Sequence, residues 1–217
     1  MKKAIIFVDA NNWYHNIKNY FNPSDVEINK LAILLAEKFN FQIVEIRWYA
    51  SMPSIKDGEL MYKRHRAWLG ELGKKGVKII TRKLQRLSNK DILQKKSAII
   101  NNLDLCENCN PLVESVFLDL ADIKKKEKGI DIWIAVDMLN LSILENKCDV
   151  CVLISGDTDF IPALNIIKNK KKEILTSMTP LGYSTELREK FPYFILTKEI
   201  LTKCLKDYGK DKKLEEK

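Results

Sequence analysis

The stretch VLISGDTDFIP, residues 152–162, is an unbroken apolar run that stops abruptly at a glycine and two aspartates. A short continuous apolar run is typical of a strand that is buried on both faces, as in a parallel sheet. A second run, AIIFVDANN at residues 4–12, also stops at an aspartate. Since ligand sites of parallel sheets gather at the carboxyl ends of the strands, the two stretches together predict an acidic site at one sheet edge.

Strand-like and helix-like segments alternate along the rest of the chain at the spacing of βαβ units. Strands are predicted at 4–8, 42–49, 77–81, 150–155, 174–177 and 193–196. Helices are predicted at 31–39, 58–72, 130–144, 160–169 and 184–190. The pattern is lost between about 82 and 128. We therefore predict an α/β fold in one domain, residues 1–200, with an insertion at about 82–127 and a C-terminal tail at 201–217, of which residues 206–217 are expected to be frayed.

The composition narrows the classes of function. A chain of 217 residues with 46% hydrophobic residues can bury a sizeable core. Its formal net charge of +8, spread over many lysines, favours a polyanionic partner such as nucleic acid. No apolar run approaches the roughly 20 residues that span a bilayer, so we expect a cytoplasmic protein without a membrane partner. Five cysteines, one of them inside a predicted strand, suit reduced thiols better than a disulfide framework.

The aspartates at the two strand ends have a structural explanation and a functional one. Asp9 is explained well enough as the cap of a helix that follows it, or as a turn residue. Asn12 lies three residues later in the same motif. Ser155, Asp157 and Asp159 surround one glycine, and only one of these carboxylates is needed as a cap. Two carboxylates so close repel each other unless a cation or a proton lies between them.

A third acidic position lies in the helix predicted at 130–144. Asp137 is its only charge between Ile132 and Leu144, so the helix is expected to be buried all round with a carboxylate inside it. Such a carboxylate is costly unless it is paired or binds a metal, and no partner can be located from the sequence. Asp131 lies near the helix start, where free N–H groups favour an acidic residue, and is a secondary candidate.

If Asp9, Asp137, Asp157 and Asp159 converge, they form a site for one or two Mg²⁺ or Mn²⁺ ions, which prefer oxygen ligands. Such ions can activate water and stabilise the leaving oxygen in phosphodiester hydrolysis. Lys and Arg residues nearby would hold the backbone phosphates that an acidic centre repels. The basic run at 61–78 is one such surface, although a solvated helix face explains it equally well.

The motifs, in their order, resemble those of NYN-domain proteins of the LabA/DUF88 type, which belong to the PIN-like nuclease superfamily. The resemblance rests on FVDANN, KGIDIWIAVDML, LISGDTDF and a late STELREKFPYFILT, and it spans nearly the whole chain. It implies a Rossmann-like α/β/α sandwich and a metal-dependent ribonuclease centre. The family motifs match the following positions of this chain: Asp9, Asn12, Asp131, Asp137, Ser155, Asp157 and Asp159.

Two Cys-x-x-Cys pairs raise a separate metal hypothesis, structural zinc. Cys148 and Cys151 straddle the start of a predicted central strand, where side chains belong to the core, so a site shared by all four cysteines is not expected. Zinc at Cys106 and Cys109, completed by other ligands, is kept as a hypothesis.

Three alternatives to a metal-dependent nuclease can be weighed on the sequence. With His15 and His65 as the two histidines, a His-based nucleophile or triad is disfavoured. An aspartate-nucleophile phosphohydrolase would have a second carboxylate two positions after Asp9, and Asn11 stands there. A non-catalytic module of the same fold that binds RNA or a protein partner is the main alternative.

Overall fold

The computed structural model of the chain describes residues 1–53, 55, 58–83, 85–86, 97–113, 125–126 and 129–207. The chain divides into two compact units. The first comprises Met1–Arg82 and Gly129–Lys217, and the second comprises Lys83–Lys128. The last ten residues of the predicted tail lie outside the described residues.

A six-stranded sheet forms the centre of the first unit, and it confirms the predicted α/β class. Its strands are β1 (Lys2–Asp9), β2 (Phe41–Met52), β3 (Lys78–Lys83), β4 (Val150–Ile154), β5 (Glu173–Met178) and β6 (Tyr193–Ile195). Their order in space is β3-β2-β1-β4-β5-β6. The strands β1 and β2, β1 and β4, β4 and β5, and β5 and β6 pair in parallel. This is the strand order of Rossmann folds, in which the order reverses between β1 and β4.

Seven helices connect the described strands of the first unit or follow them. They are α1 (Ala10–Ile17), α2 (Ile28–Phe39), α3 (Glu59–Lys74), α4 (Ile130–Leu139), α5 (Ile161–Asn169), α6 (Thr185–Lys190) and α7 (Lys198–Lys203). After α4 the chain continues in a π-helical turn, Asn140–Leu144. Neither α1 nor α7 is among the predicted helices. Pro162 lies in the first turn of α5.

Successive side chains of β2 point to opposite faces of the sheet, so Trp48 and Tyr49 lie on different faces. Trp48 packs edge-on against Trp13 of α1 and Trp68 of α3, with ring centroids 6.0 and 5.3 Å apart. The next residue, Tyr49, stacks on Phe7 of β1 on the other face, with ring centroids 6.4 Å apart. The face that carries Tyr49 is the one toward which α4 lies, since Tyr49 donates a hydrogen bond to that helix.

The prediction that α4 is buried all round is wrong. Ile134 and Met138 are fully buried, but Ile132 is 66% exposed and Val136 is 55% exposed. Trp133, 41% exposed, lies under the guanidinium of Arg82, which is 5.2 Å from the ring centroid. The error has a simple cause: a helix that is apolar on every side carries no pattern that tells which side meets the sheet.

The tail predicted from residue 201 begins inside α7, whose Leu201 is fully buried. Beyond that helix, Leu205 forms an isolated bridge with Val26, and the Lys206 N–H donates to the Asp25 carbonyl oxygen. None of the described helices is long and apolar enough to cross a lipid bilayer.

In the second unit the described residues include an antiparallel pair of short strands, Gln85–Arg86 and Lys125–Lys126. Helical segments occupy residues 97–101 and 109–113. These segments fall within the region that the sequence analysis assigns to an insertion.

The loops that follow β4 and β5 meet at two glycines. A Cβ added to Gly156 would collide with the backbone carbonyl of Gly182, and one added to Gly182 would collide with the Asn16 side chain. The Ser184 N–H also donates to the Gly156 carbonyl oxygen, at 3.3 Å. The two loops therefore approach so closely that both glycines are required by contact.

We expect Gly156→Ala to lower the free energy of unfolding by about 1–3 kcal/mol, because a backbone carbonyl must shift to admit the methyl group. Urea denaturation measures the change. The matched control is Gly70→Ala in α3, where nothing lies within 4 Å of the added Cβ. That variant should be more stable by roughly 0.5–1 kcal/mol, as for other glycines in helices. Equal stability of the two variants would contradict the packing described.

Candidate functional site

The candidate site lies at the carboxyl ends of β1 and β4, the two strands between which the strand order reverses. Ligands of open α/β sheets bind in the crevice at this point. Val8 and Ile154 are partners in the parallel register of the two strands. The next residues, Asp9 and Ser155, therefore lie side by side at the sheet edge.

Asp9 is held in a fixed orientation and is only 4% exposed. Its Oδ1 accepts hydrogen bonds from the N–H groups of Asn11 and Asn12, both at 3.1 Å, so that it caps α1. Its Oδ2 accepts a hydrogen bond from the Ser155 hydroxyl, also at 3.1 Å. Capping of α1 thus accounts for the hydrogen bonds of Oδ1, whereas Oδ2 is bonded to Ser155, which directly follows β4.

The Ser155 hydroxyl joins the two strand ends. It donates to Asp9 and accepts from the Asp157 N–H at 3.2 Å. Asp157 in turn caps the 3₁₀ turn Thr158–Phe160, since its Oδ1 accepts from the Asp159 N–H at 3.0 Å. Asp157 is half-buried and Asp159 is exposed. Neither carboxylate forms an ion pair with another residue in the described part of the chain.

Asn12 connects α1 to the loop after β4. Its Oδ1 accepts from the Gly156 N–H and from Asn16 Nδ2, both at 3.1 Å. A second hydrogen bond holds the Asn16 side chain against Asn12, since Asn16 Nδ2 also donates to the Asn12 carbonyl oxygen at 2.8 Å. The Asn12 side-chain NH₂ group has no acceptor among the described residues and remains able to donate to a ligand. The sequence analysis missed Asn16, although it lies four residues, about one helical turn, after Asn12.

Asp137 has partners that the sequence analysis could not locate. Its Oδ2 accepts from Arg47 Nη1 at 2.5 Å and from the Tyr49 hydroxyl at 2.7 Å. Arg47 is 6% exposed and also donates from Nε to Glu45, at 2.6 Å. Burial, assisted by the bond to Asp137, raises the pKa of Tyr49 far above its usual range, so the phenol stays a neutral donor. Arg47 is therefore the ion-pair partner that could not be located from the sequence.

Through Tyr49, Asp137 is connected to the edge that carries Asp9. Asp9 and Tyr49 are partners in the register of β1 and β2. The side chain of Asp137 is 30% exposed, and its Oδ1 receives no hydrogen bond from a described residue. Asp131 lies in the first turn of α4, six residues before Asp137 and about 120° away around the helix axis. A metal-binding role of Asp131 or Asp137 stays a prediction.

The side-chain oxygen atoms at this edge can be compared with the ligands that a divalent cation requires. Among the described residues, no three His, Cys, Asp or Glu side chains are arranged to hold a metal ion by themselves. Mg²⁺, however, keeps several waters and binds through one or two carboxylates together with substrate phosphates. Asp9, whose carboxylate accepts from the Ser155 hydroxyl, and Asp157, whose backbone N–H donates to the same hydroxyl, fit that requirement. The prediction that Asp137 and Asp159 share the ion stays a prediction.

The two cysteine pairs differ in exposure. Cys148 and Cys151 are buried, and burial raises the pKa of the Cys148 thiol to about 11 and that of Cys151 well above its usual value. Both are thus kept as neutral thiols, which are poor metal ligands. Cys106 and Cys109 are exposed, and hydrogen bonding between their thiols lowers the pKa of Cys106 and raises that of Cys109. Zinc at this second pair stays a prediction.

The two histidines contribute nothing to this edge. His15 contacts the Tyr14 ring and Lys18 on the surface of α1. His65 packs against Trp68, and burial lowers the pKa of its ring.

Comparison with known proteins identifies the domain. The family model of the NYN domain matches residues 3–198. No curated protein matches the chain. The crystal structure of a protein of unknown function from Vibrio parahaemolyticus is similar, with a TM-score of 0.57 and 17% sequence identity. The match covers 89% of this chain and 91% of that chain, and at such identity it shows the fold alone.

We expect the buried ion pair between Arg47 and Asp137 to couple the two residues by about 1–2 kcal/mol in the free energy of unfolding. Urea denaturation of Arg47→Met, Asp137→Asn and the double variant measures this coupling. Arg47→Met alone should cost about 1–3 kcal/mol, because it leaves the carboxylates of Asp137 and Glu45 without their shared cation.

The matched control is the exposed pair Lys63 and Glu59 on α3, whose side chains are 68% and 67% exposed. Its coupling, measured with Lys63→Met and Glu59→Gln, should stay below about 0.5 kcal/mol. If the pair at Arg47 couples no more strongly than this exposed pair, Arg47 does not fix Asp137 in place.

Proposed function

We propose that this chain, which belongs to the NYN domain family of the PIN-like nuclease superfamily, is a metal-dependent nuclease that acts on RNA. One observation carries the proposal. At the switch point of the sheet, a single buried hydroxyl, that of Ser155, joins the Asp9 carboxylate to the backbone N–H of Asp157 and so holds the two acidic residues side by side. Asp9 and Asp157 could each cap the helical turn that follows without the Ser155 hydroxyl between the two residues.

In this proposal Asp9 and Asp157 hold Mg²⁺ or Mn²⁺, with Asp159 and Asp137 as the further carboxylates of the site. The ion, when bound, supplies positive charge for the phosphate oxygens and lowers the pKa of water near the scissile bond. Side chains of the protein orient the carboxylates that bind the ion. Ser155 keeps the Asp9 carboxylate oriented, and Arg47 and Tyr49 do the same for Asp137.

Asn12 is the neutral member of the proposed site. Its side-chain oxygen is occupied by Gly156 and Asn16, which leaves its NH₂ group to donate to a ligand at the strand ends. A neutral donor suits a phosphate oxygen there, because it adds no positive charge that would compete with the cation for the carboxylates. Asp131 is the most peripheral candidate, at the start of α4.

The RNA backbone needs positive charge outside the acidic centre. The chain has a formal net charge of +8. Arg64 and Arg66 of α3 are exposed and form no ion pair with any other residue that the structure describes. Trp68 of the same helix packs inward against Trp48. The proposal assigns the basic face of α3 to binding the phosphate backbone.

We expect Asp9→Asn and Asp157→Asn each to slow Mn²⁺-dependent cleavage of single-stranded RNA by about 100-fold or more, since a lost ligand of this kind costs several kcal/mol in the transition state. Cleavage is followed on an end-labelled RNA with Mg²⁺ and with Mn²⁺. RNA affinity, measured by fluorescence anisotropy, should stay within about threefold, because the phosphates are held elsewhere.

Asp149→Asn is the matched control. Asp149 is exposed at the amino end of β4, where its Oδ2 accepts from the Lys3 N–H at 2.9 Å. Cleavage by this variant should equal that of the unaltered protein. If Asp9→Asn and Asp157→Asn cleave as fast as this control, the proposed site is contradicted.

A non-catalytic RNA-binding or partner-binding module is the second candidate. The observation that favours it is the capping role of Asp9 and Asp157, which the fold uses whether or not a metal binds. Retained RNA affinity without cleavage by the unaltered protein, with either metal, would establish this candidate in place of the nuclease.

A further inference from the structure

Two cysteines of the second unit lie on a single helical turn. Cys106 and Cys109 are both exposed. The N–H groups of Cys109 and Asn110 both donate to the Cys106 carbonyl oxygen, at 3.0 Å, so the backbone between the two cysteines is already closed into a turn. This turn leads into the helical segment at 109–113.

The two thiols of this turn interact with each other. Hydrogen bonding between them lowers the pKa of Cys106 and raises that of Cys109, and the backbone N–H groups of Asn108 and Cys109 also lower the pKa of Cys106. Residues three apart on a helical turn have Cβ atoms about 5–6 Å apart, and a disulfide needs about 3.5–4.5 Å. A displacement of about 1–2 Å within one exposed turn is therefore enough to bring the sulfur atoms into bonding distance.

The other three cysteines are buried in the first unit. Cys151 is fully buried within β4, and Cys148 and Cys204 are each 1% exposed. Reagents in solution reach these thiols only when the first unit opens. They therefore act as internal controls for the chemistry of the exposed pair.

The exposed pair supplies two of the four ligands of a structural zinc site. Among the residues that the structure describes, no third His, Cys, Asp or Glu side chain is arranged with it to hold a metal ion. What the two thiols can do by themselves is to exchange with a disulfide.

We propose that Cys106 and Cys109 are a thiol–disulfide exchange site whose co-reactant is a low-molecular-weight disulfide such as oxidised glutathione. The Cys106 thiolate attacks one sulfur of glutathione disulfide, its S–S bond breaks, and one glutathione thiolate leaves. The Cys109 thiol then loses its proton to solvent and attacks the Cys106 sulfur, so that the second glutathione leaves. The protein loses two electrons and two protons, and one molecule of glutathione disulfide gains them to become two molecules of reduced glutathione.

The test uses the full chain and measures thiols, so its result is independent of nuclease activity. The protein, freed of bound metal by chelator and exchanged into buffer, is equilibrated with mixtures of reduced and oxidised glutathione, quenched by acid and examined by mass spectrometry. We expect a disulfide that loses two hydrogen atoms and maps to the peptide containing Cys106 and Cys109. Cys148, Cys151 and Cys204 should be alkylated only after denaturation.

Two variants distinguish the order of the steps. Cys109→Ser should stop at a mixed disulfide with glutathione on Cys106. Cys106→Ser should form a mixed disulfide on Cys109 more slowly, since the lower pKa of Cys106 gives that residue the larger thiolate fraction. Both residues are exposed, so both variants should melt within a few degrees of the unaltered protein.

Retention of both thiols across all glutathione mixtures would overturn the proposal. So would equal rates of mixed-disulfide formation in the two variants. A zinc ion that copurifies with the protein, blocks both thiols against glutathione and is displaced by chelator would assign the pair to metal binding and would likewise overturn it.

Discussion

The Ser155 hydroxyl is the contact on which the candidate site depends. It donates to Asp9 at the end of β1 and accepts from the Asp157 N–H beyond β4, so one oxygen atom fixes both strand ends at the point where the strand order reverses. Ser155 is fully buried, and its two bonds leave it no freedom to rotate. Asn12 adds a second connection between the same elements through the Gly156 N–H. The sheet thereby determines the position of the carboxylates.

A second hydrogen-bond network joins the neighbouring strand, β2, to helix α4. Arg47 and Tyr49, on the same face of β2, both donate to one oxygen of Asp137, which leaves its other oxygen without a hydrogen bond from the described residues. A buried arginine held by two carboxylates is costly to desolvate, and apolar side chains in place of all three residues would fill the space at lower cost. Its presence beside the acidic edge is consistent with a requirement for a fixed carboxylate at Asp137.

Local pattern was sufficient to predict the sheet, most of its helices and the carboxylates at the strand ends, because each depends on a few consecutive residues. The partners of Asp137 could not be predicted in this way: Arg47 is 90 residues away in sequence, and the contact depends on how α4 lies across β2. The exposure of Ile132 on α4 was missed for a related reason, since only its neighbours decide which apolar side is covered. The eight-residue α1, which Asp9 caps, was also not predicted, although its buried Trp13 and Ile17 lie four residues apart on one face of the helix.

The central claim is that the edge formed by Asp9 and Asp157 holds a divalent cation together with RNA phosphate. A crystal structure of the protein with Mn²⁺ and a short non-cleavable RNA, with anomalous diffraction used to locate the metal, tests it most directly. The account predicts a manganese peak within about 2.5 Å of a carboxylate oxygen of Asp9 and of Asp157, with a phosphate oxygen as a further ligand. Bound RNA with no manganese at this edge, or with the peak at another part of the chain, would contradict it.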